Sequence, residues 1–311
     1  MKTHKQSAKL MGSAFELCVI HSNETFALEQ LAAGITEIKR IEHLLTEFSE
    51  DSLTTQINRN AAIRPVEVTS EFYDLVSRCE QISNLSKGYF DITVGPLKKL
   101  YSFKRGHFEL PAQKTIRKTL QSVGYQNIAL NKNAQTIQLT KQNMHLSFAA
   151  IGKAYAADQV KQLWLKNNIA SGYINASGDL TAFGSNEKGE PWKIGIANPD
   201  KQNEILFYVP LNHVSVATSG DYEQHFVYKG QRYSHNINPK TGMPLKGIKS
   251  VSVFSPSAEL SDALATAVYA MGKEKGISFV NQLPETHAII IDENNEVVFS
   301  KALNYETLDQ A

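Results

Sequence analysis

Between Trp192 and Ser255 five β-rich segments follow one another, "WKIGIA", "LFYVPL", "VSVA", "HFVYKG" and "KSVSVFS", with no helical stripe between them. The helices are gathered elsewhere. Leu28, Leu31, Ile35, Ile38, Ile41, Leu45 and Phe48 recur at steps of three or four, which predicts a long amphipathic helix with its apolar stripe on a core. A second helix is expected from Ser70, as N-cap, through Phe72, Leu75, Val76, Cys79 and Ile82, with Gly88 as its stop. Further helices at "AAIGKAYAADQVKQLWLKNN", "SDALATAVYAMG" and "KEKGISFVNQL", a strand at 13–22, and hairpins at "TIQLTKQNMHLSF" and "HAIIIDENNEVVFS" complete the order. Strands in runs and helices in pairs point to an α+β fold rather than alternating βαβ units.

At 311 residues the chain can bury a generous core, as one domain over 1–311 built of two intimate lobes. Lys and Arg number 32 against 31 Asp and Glu, a net charge of +1 that offers no general field for nucleic acid or anionic lipid. No run approaches eighteen apolar residues, so no membrane insertion is expected. The opening "MKTHKQSAKL" is basic but lacks the apolar run of a secretory signal, so the chain as given reads as cytoplasmic. A protein whose leader had been removed would read the same, which leaves a periplasmic location as the alternative. Cys18 and Cys79 sit among apolar neighbours and are expected as reduced core thiols.

Chemistry concentrates in three places. In "SDALATAVYAMG" Asp262 and Thr266 are four apart and share a helix face near its N-terminus. A carboxylate and a hydroxyl are hard oxygen ligands of the kind magnesium takes; equally, Asp262 could complement the helix dipole and Thr266 back-bond within the helix. In "AAIGKAYAAD" a small-residue approach enters a helix, and Lys153 in its first turn makes sense beside a phosphate or another carboxylate. The third place is "SHNINPKTG" (234–242), preceded by a small polar turn at Thr218, Ser219 and Gly220. His235 there can be a general base, a donor or a solvated side chain. H-E-x-x-H, G-x-S-x-G, G-x-G-x-x-G and paired C-x-x-C motifs are all missing, so the standard hydrolase, dinucleotide and zinc readings lack support.

Taken together, "MGSAFEL", "GYFDITVGPLKKLYSF", "AAIGKAYAADQV", "INASGDL", "VATSGDYEQHFVYKGQRYSHNINPKTGMPL" and "SDALATAVYAMG" resemble, in order and spacing, the ApbE family of FAD:protein FMN transferases. The resemblance implies a two-lobed α+β fold with mostly antiparallel sheets and FAD between the lobes, with Mg2+ at the diphosphate. It implies transfer of the FMN half to a Ser or Thr hydroxyl of an acceptor protein, with release of AMP. By motif, Asp262 and Thr266 match the metal-binding side chains, and Ala150 matches the position giving a backbone carbonyl to the metal. Met11, Phe48, Tyr89, Phe90, Asp91, Lys153 and Ile237 match positions lining the FAD site. His235 matches the histidine proposed to assist transfer, and Asp262 is the other candidate for taking the proton. Three positions depart from the pattern. Ser147 stands where an aspartate commonly contacts FAD, Asn238 replaces the aspartate of H-x-x-D-P, and Ala154 replaces a glycine.

Elementary electrostatics agrees with that picture. A diphosphate carries about two negative charges, and a unit charge pair at ~4 Å and an effective dielectric of ~20 is worth roughly 4 kcal/mol. With no basic cluster in the sequence, one divalent ion supplies more than any single lysine. The same site allows a Mg-dependent FAD pyrophosphatase, with water replacing the acceptor hydroxyl, or a non-catalytic FAD-binding protein.

Overall fold

In the computed structural model, residues 1–101, 110–211, 214–221, 225–228 and 230–307 are described. Ser102 and Phe103 of "GYFDITVGPLKKLYSF", and Tyr222–Gln224 and Lys229 of "DYEQHFVYKG", lie outside them. The chain opens with β1 (Lys2–Leu10) and β2 (Ser13–His21), then α1 (Glu24–Leu45), α2 (Leu53–Arg59), β3 (Val66–Glu67), α3 (Ser70–Leu85) and the short α4 (Gly95–Lys98). Next come α5 (Gln113–Leu120), β4 (Ile128–Asn131), β5 (Thr136–Leu139) and α6 (Gly152–Lys166). A long β-run follows: β6 (Gly172–Ala176), β7 (Asp179–Phe183), β8 (Trp192–Asn198), β9 (Lys201–Leu211), β10 (Ser215–Gly220), β11 (His225–Tyr228), β12 (Gln231–Ser234) and β13 (Ile248–Ser255). The chain closes with α7 (Ala258–Met271), α8 (Lys273–Val280), β14 (His287–Asp292), β15 (Val297–Phe299) and β16 (Glu306–Thr307).

Eight strands form the main sheet in the order β1-β2-β6-β7-β10-β13-β14-β15; smaller sheets are β16-β9-β8, β3-β5-β4 and β11-β12. Every pairing among the described residues is antiparallel, and the fold is α+β as expected. The period-two pattern of β13 shows how the layers form. Val251 and Val253 join the core shared with Ala263 and Leu264 of α7, while Phe254 joins a second core with Phe207 and Val209 of β9. Helices thus cover one face of the sheet and the β8–β9 layer the other.

Local chemistry explains the element ends. Thr69, not Ser70, caps α3 by accepting the Phe72 N–H, and Gly88 at φ +77 donates its N–H to Ser83 O at 2.7 Å beyond the helix. Met11 and Gly12 form a two-residue turn with φ +50 and +74, the geometry that matches strand twist in a hairpin. Gly34 lets α1 approach its neighbours: a Cβ there would meet Leu17 at 2.8 Å and Val160 at 3.0 Å. Both cysteines are free and buried. Among the described residues no helix is long and apolar enough to cross a membrane.

Three expectations are corrected. Thr218, Ser219 and Gly220 are not a turn but the end of β10, paired with Ser252, Val251 and Ser250. The helix α1 ends at Leu45, so Phe48 is no part of its stripe and is 96% exposed. Residues 2–10, read only for targeting, form the edge strand β1; exposed on most positions, it carries no hydrophobic alternation to announce it.

Candidate active site

The segment 147–153, which enters α6, separates two cavities. The larger, about 380 Å3, is lined by Met11 and Gly12 of the first hairpin turn, Glu47 and Phe48 beyond α1, and Phe148, Gly152 and Lys153. That volume is within the range of small-molecule sites. The smaller, about 30 Å3, is lined by Phe90, Asp91, Lys98, Ser147, Ala150, Ile237 and Thr266, among others. Through Gly12 and Ser13 the larger cavity is continuous with an open trough past Asn175, Ser177 and Gly178 to β8.

Sequence-distant candidates are therefore brought together. Met11, Phe48 and Lys153 line the larger cavity; Phe90, Asp91, Ser147, Ile237, Ala150 and Thr266 line the smaller. Asp262 is 8% exposed and lies one turn before Thr266 on α7. Because α7 starts at Ala258, Asp262 is in its second turn, and the start of the helix is held by other groups. Ser257 accepts the Leu260 N–H at 3.2 Å, and Asp158 of α6 accepts the Ala258 and Glu259 N–H groups at 3.1 and 2.8 Å. Arg78 of α3 grips Glu259 with Nε–Oε1 at 2.7 Å and Nη2–Oε2 at 3.0 Å. These contacts fix α7 against α6 and α3, and with it the position of Thr266.

Not every candidate faces the cavities. Tyr89 lines neither: its hydroxyl accepts from Lys275 Nζ at 2.9 Å, and the Lys275 and Lys240 amines stand 4.4 and 4.8 Å from its ring centroid. Asp91 has its oxygens committed to the loop. Oδ1 accepts from the N–H and hydroxyl of Thr93 at 2.8 and 2.6 Å, and Oδ2 from the Tyr125 N–H at 2.9 Å. Burial pushes its carboxyl up against these hydrogen bonds. His235 directly precedes the cavity-lining Asn236 and Ile237. Lys153 finds the carboxylate its position called for, with Nζ 3.9 Å from Asp179 Oδ2. The hydroxyls of Ser219 and Thr266 are 3.4 Å apart across β10 and α7.

The loop 234–242 is rigid for definable reasons. Asn238 N–H donates to Met243 O at 2.9 Å, Gly242 N–H to Asn238 O at 2.8 Å, and Tyr101 hydroxyl to Gly242 O at 2.6 Å. The Asn238 amide donates to Ala270 O at 3.3 Å at the far end of α7, a bond an aspartate could not make. At the other departures, Ala154 is fully buried in the main core and Ser147, also buried, lines the smaller cavity.

Two site residues escaped sequence reading. Glu47 accepts from His145 Nε2 at 2.8 Å; burial pushes its carboxyl up, but hydrogen bonds from His145 and Ser147 outweigh that and hold it below the usual carboxylate range. Lys98 lies between charges: burial pushes its amine down, while Glu47 and Asp262 partly hold it up. A lysine pair after "VGPL" gives no signal that one of them turns inward.

For a divalent cation the donor set fits. Ala150 carbonyl, Thr266 hydroxyl and Asp262 carboxylate are hard oxygen donors; Ala150 and Thr266 share a cavity of about 30 Å3, and Asp262 lies one helical turn from Thr266. Among the described residues no three His, Cys, Asp or Glu side chains gather as a metal cage, so any such site rests on fewer than three of them, with neutral oxygens completing the set.

Comparison with known proteins agrees with this architecture. The model of the ApbE family matches residues 11–291. A protein of Klebsiella pneumoniae (strain 342) named FAD:protein FMN transferase is 29% identical, over 99% of this chain and 96% of its own. The crystal structure of the ApbE protein from Thermotoga maritima superposes with a TM-score of 0.88 at 28% identity, covering 96% of this chain and 97% of that one. The apo form of the flavinyl transferase ApbE from Pseudomonas stutzeri gives a TM-score of 0.87 at 26% identity, over 97% and 95% of the two chains.

Proposed function

The chain belongs to the ApbE family, and from that premise we propose that it is a flavin transferase, moving the FMN half of FAD to a Ser or Thr hydroxyl of an acceptor protein with Mg2+ and releasing AMP. Supporting the reading is the name FAD:protein FMN transferase carried by its full-length relatives. The observation that carries it is the cavity shared by Ala150 and Thr266, with a larger pocket directly across segment 147–153.

In this reading Ala150, Asp262 and Thr266 would hold the cation. When bound, it neutralises the diphosphate and polarises the phosphorus under attack. The chain's own residues do the rest. Phe48, almost wholly exposed at the rim of the larger cavity, offers an aromatic face for a flat ring. Lys153 and the start of α6, which no side chain caps, face the same cavity and favour an anion there. His235, set by the loop 234–242, takes the proton from the acceptor hydroxyl as its oxygen bonds to the FMN phosphorus. The bond from that phosphorus to the bridging oxygen breaks, and AMP leaves with the electron pair. The trough running to β8 leaves an open approach for a macromolecular acceptor.

Incubation with FAD, Mg2+ and a candidate acceptor tests this, with AMP followed by chromatography and flavin by in-gel fluorescence. AMP with fluorescent acceptor is expected. AMP with free FMN instead means hydrolysis, and no AMP under any metal condition means a flavin carrier. Asp262→Ala is expected to abolish AMP release; an unchanged rate would sink the metal assignment.

A further inference from the structure

Lys98 is the only basic residue lining the small cavity among the described residues. The cavity is small, about 30 Å3. Lys98 thus borders the same space as Ala150 and Thr266. That side chain lies in the field of two carboxylates, Asp262 and Glu47. Glu47 is itself held by His145 Nε2 at 2.8 Å.

We propose that Lys98 is a tethered counter-ion that competes with the divalent cation for Asp262, so that metal binds tightly only together with a diphosphate. The inference rests on the reading of Ala150, Asp262 and Thr266 as cation ligands. With neither ligand present the ammonium balances the carboxylates. A divalent ion alone must enter beside that positive charge, and Coulomb repulsion at such range is strong in a partly desolvated site. A diphosphate brings about two negative charges, gives the ammonium a new partner and relieves the repulsion. Metal and nucleotide thus bind with positive coupling, in each direction equally.

The test is Mg2+ titration of the FAD-free protein, read as the metal-dependent rise in melting temperature and by calorimetry, for wild type, Lys98→Gln, Lys98→Arg and Asp262→Asn. Each variant is compared with itself without metal, so changes in basal stability cancel. Lys98→Gln is expected to bind Mg2+ at least about tenfold more tightly than wild type, and Lys98→Arg to behave like wild type. Adding ADP as a diphosphate probe is expected to tighten Mg2+ in wild type and much less in Lys98→Gln. Equal or weaker Mg2+ binding by Lys98→Gln, with the response lost in Asp262→Asn, overturns the role of Lys98 alone. A response that survives in Asp262→Asn, or that no variant shows, overturns the metal assignment and the inference with it.

Discussion

The Asp158 carboxylate accepts the backbone N–H of Glu259 at 2.8 Å, so a side chain of α6 caps the helix that carries Asp262 and Thr266. Burial pushes the Asp158 carboxyl up to about 6, against the opposing hydrogen bonds from Glu259 and Ala258 and the charge of Lys161. Its folded pKa therefore lies above the unfolded value of 3.8. The associated stability is present below the unfolded pKa and is lost as pH rises through about 6, a loss of roughly 3 kcal/mol. Urea unfolding of wild type and Asp158→Asn across that window is expected to show wild type losing this amount relative to the variant. Parallel profiles would show that the carboxylate is not penalised.

Phe48 should matter to ligand and not to fold. At 96% exposure, its replacement by Ala is expected to change stability by less than about 0.5 kcal/mol. FAD affinity, read from quenching of flavin fluorescence, is expected to fall about tenfold. A stability loss without an affinity loss would place its role in folding.

Asn238 tests whether a lost charge was replaced by a contact. In Asn238→Asp the side chain can no longer donate to Ala270 O, and two oxygens face each other instead. A destabilisation of about 1–2 kcal/mol is expected in thermal or urea unfolding. Wild-type stability in the variant would mean that the bond contributes nothing.

Gly242 is required by both conformation and space. Its φ is +72, and a Cβ would meet Ile116 at 2.6 Å and Leu97 at 3.0 Å. Gly242→Ala is expected to cost about 2–4 kcal/mol. Because the same loop carries His235, AMP release should fall with it while the FAD affinity of the folded fraction changes little.

What the sequence determined by itself was local. Period-four and β-rich segments foretold α3, α6 and α7 and the strands β8 to β11 and β13 to β15, and ordered motifs foretold the family. The polar edge strand β1 and the continuation of β10 through Thr218–Gly220 were not legible, since pairing with a neighbour rather than their own pattern makes them strands. Phe48 fell on the helical period yet lies beyond the helix, because α1 stops at Leu45, where Thr46 turns extended. Only the tertiary structure decided that Lys98 from α4, Ala150 before α6 and Thr266 on α7 border one small cavity, with Glu47 lining the larger one across segment 147–153. Side-chain periodicity reports which face of an element is apolar. It holds no term for which charged group of a distant segment packing will carry inward, and that decides the electrostatics of this site.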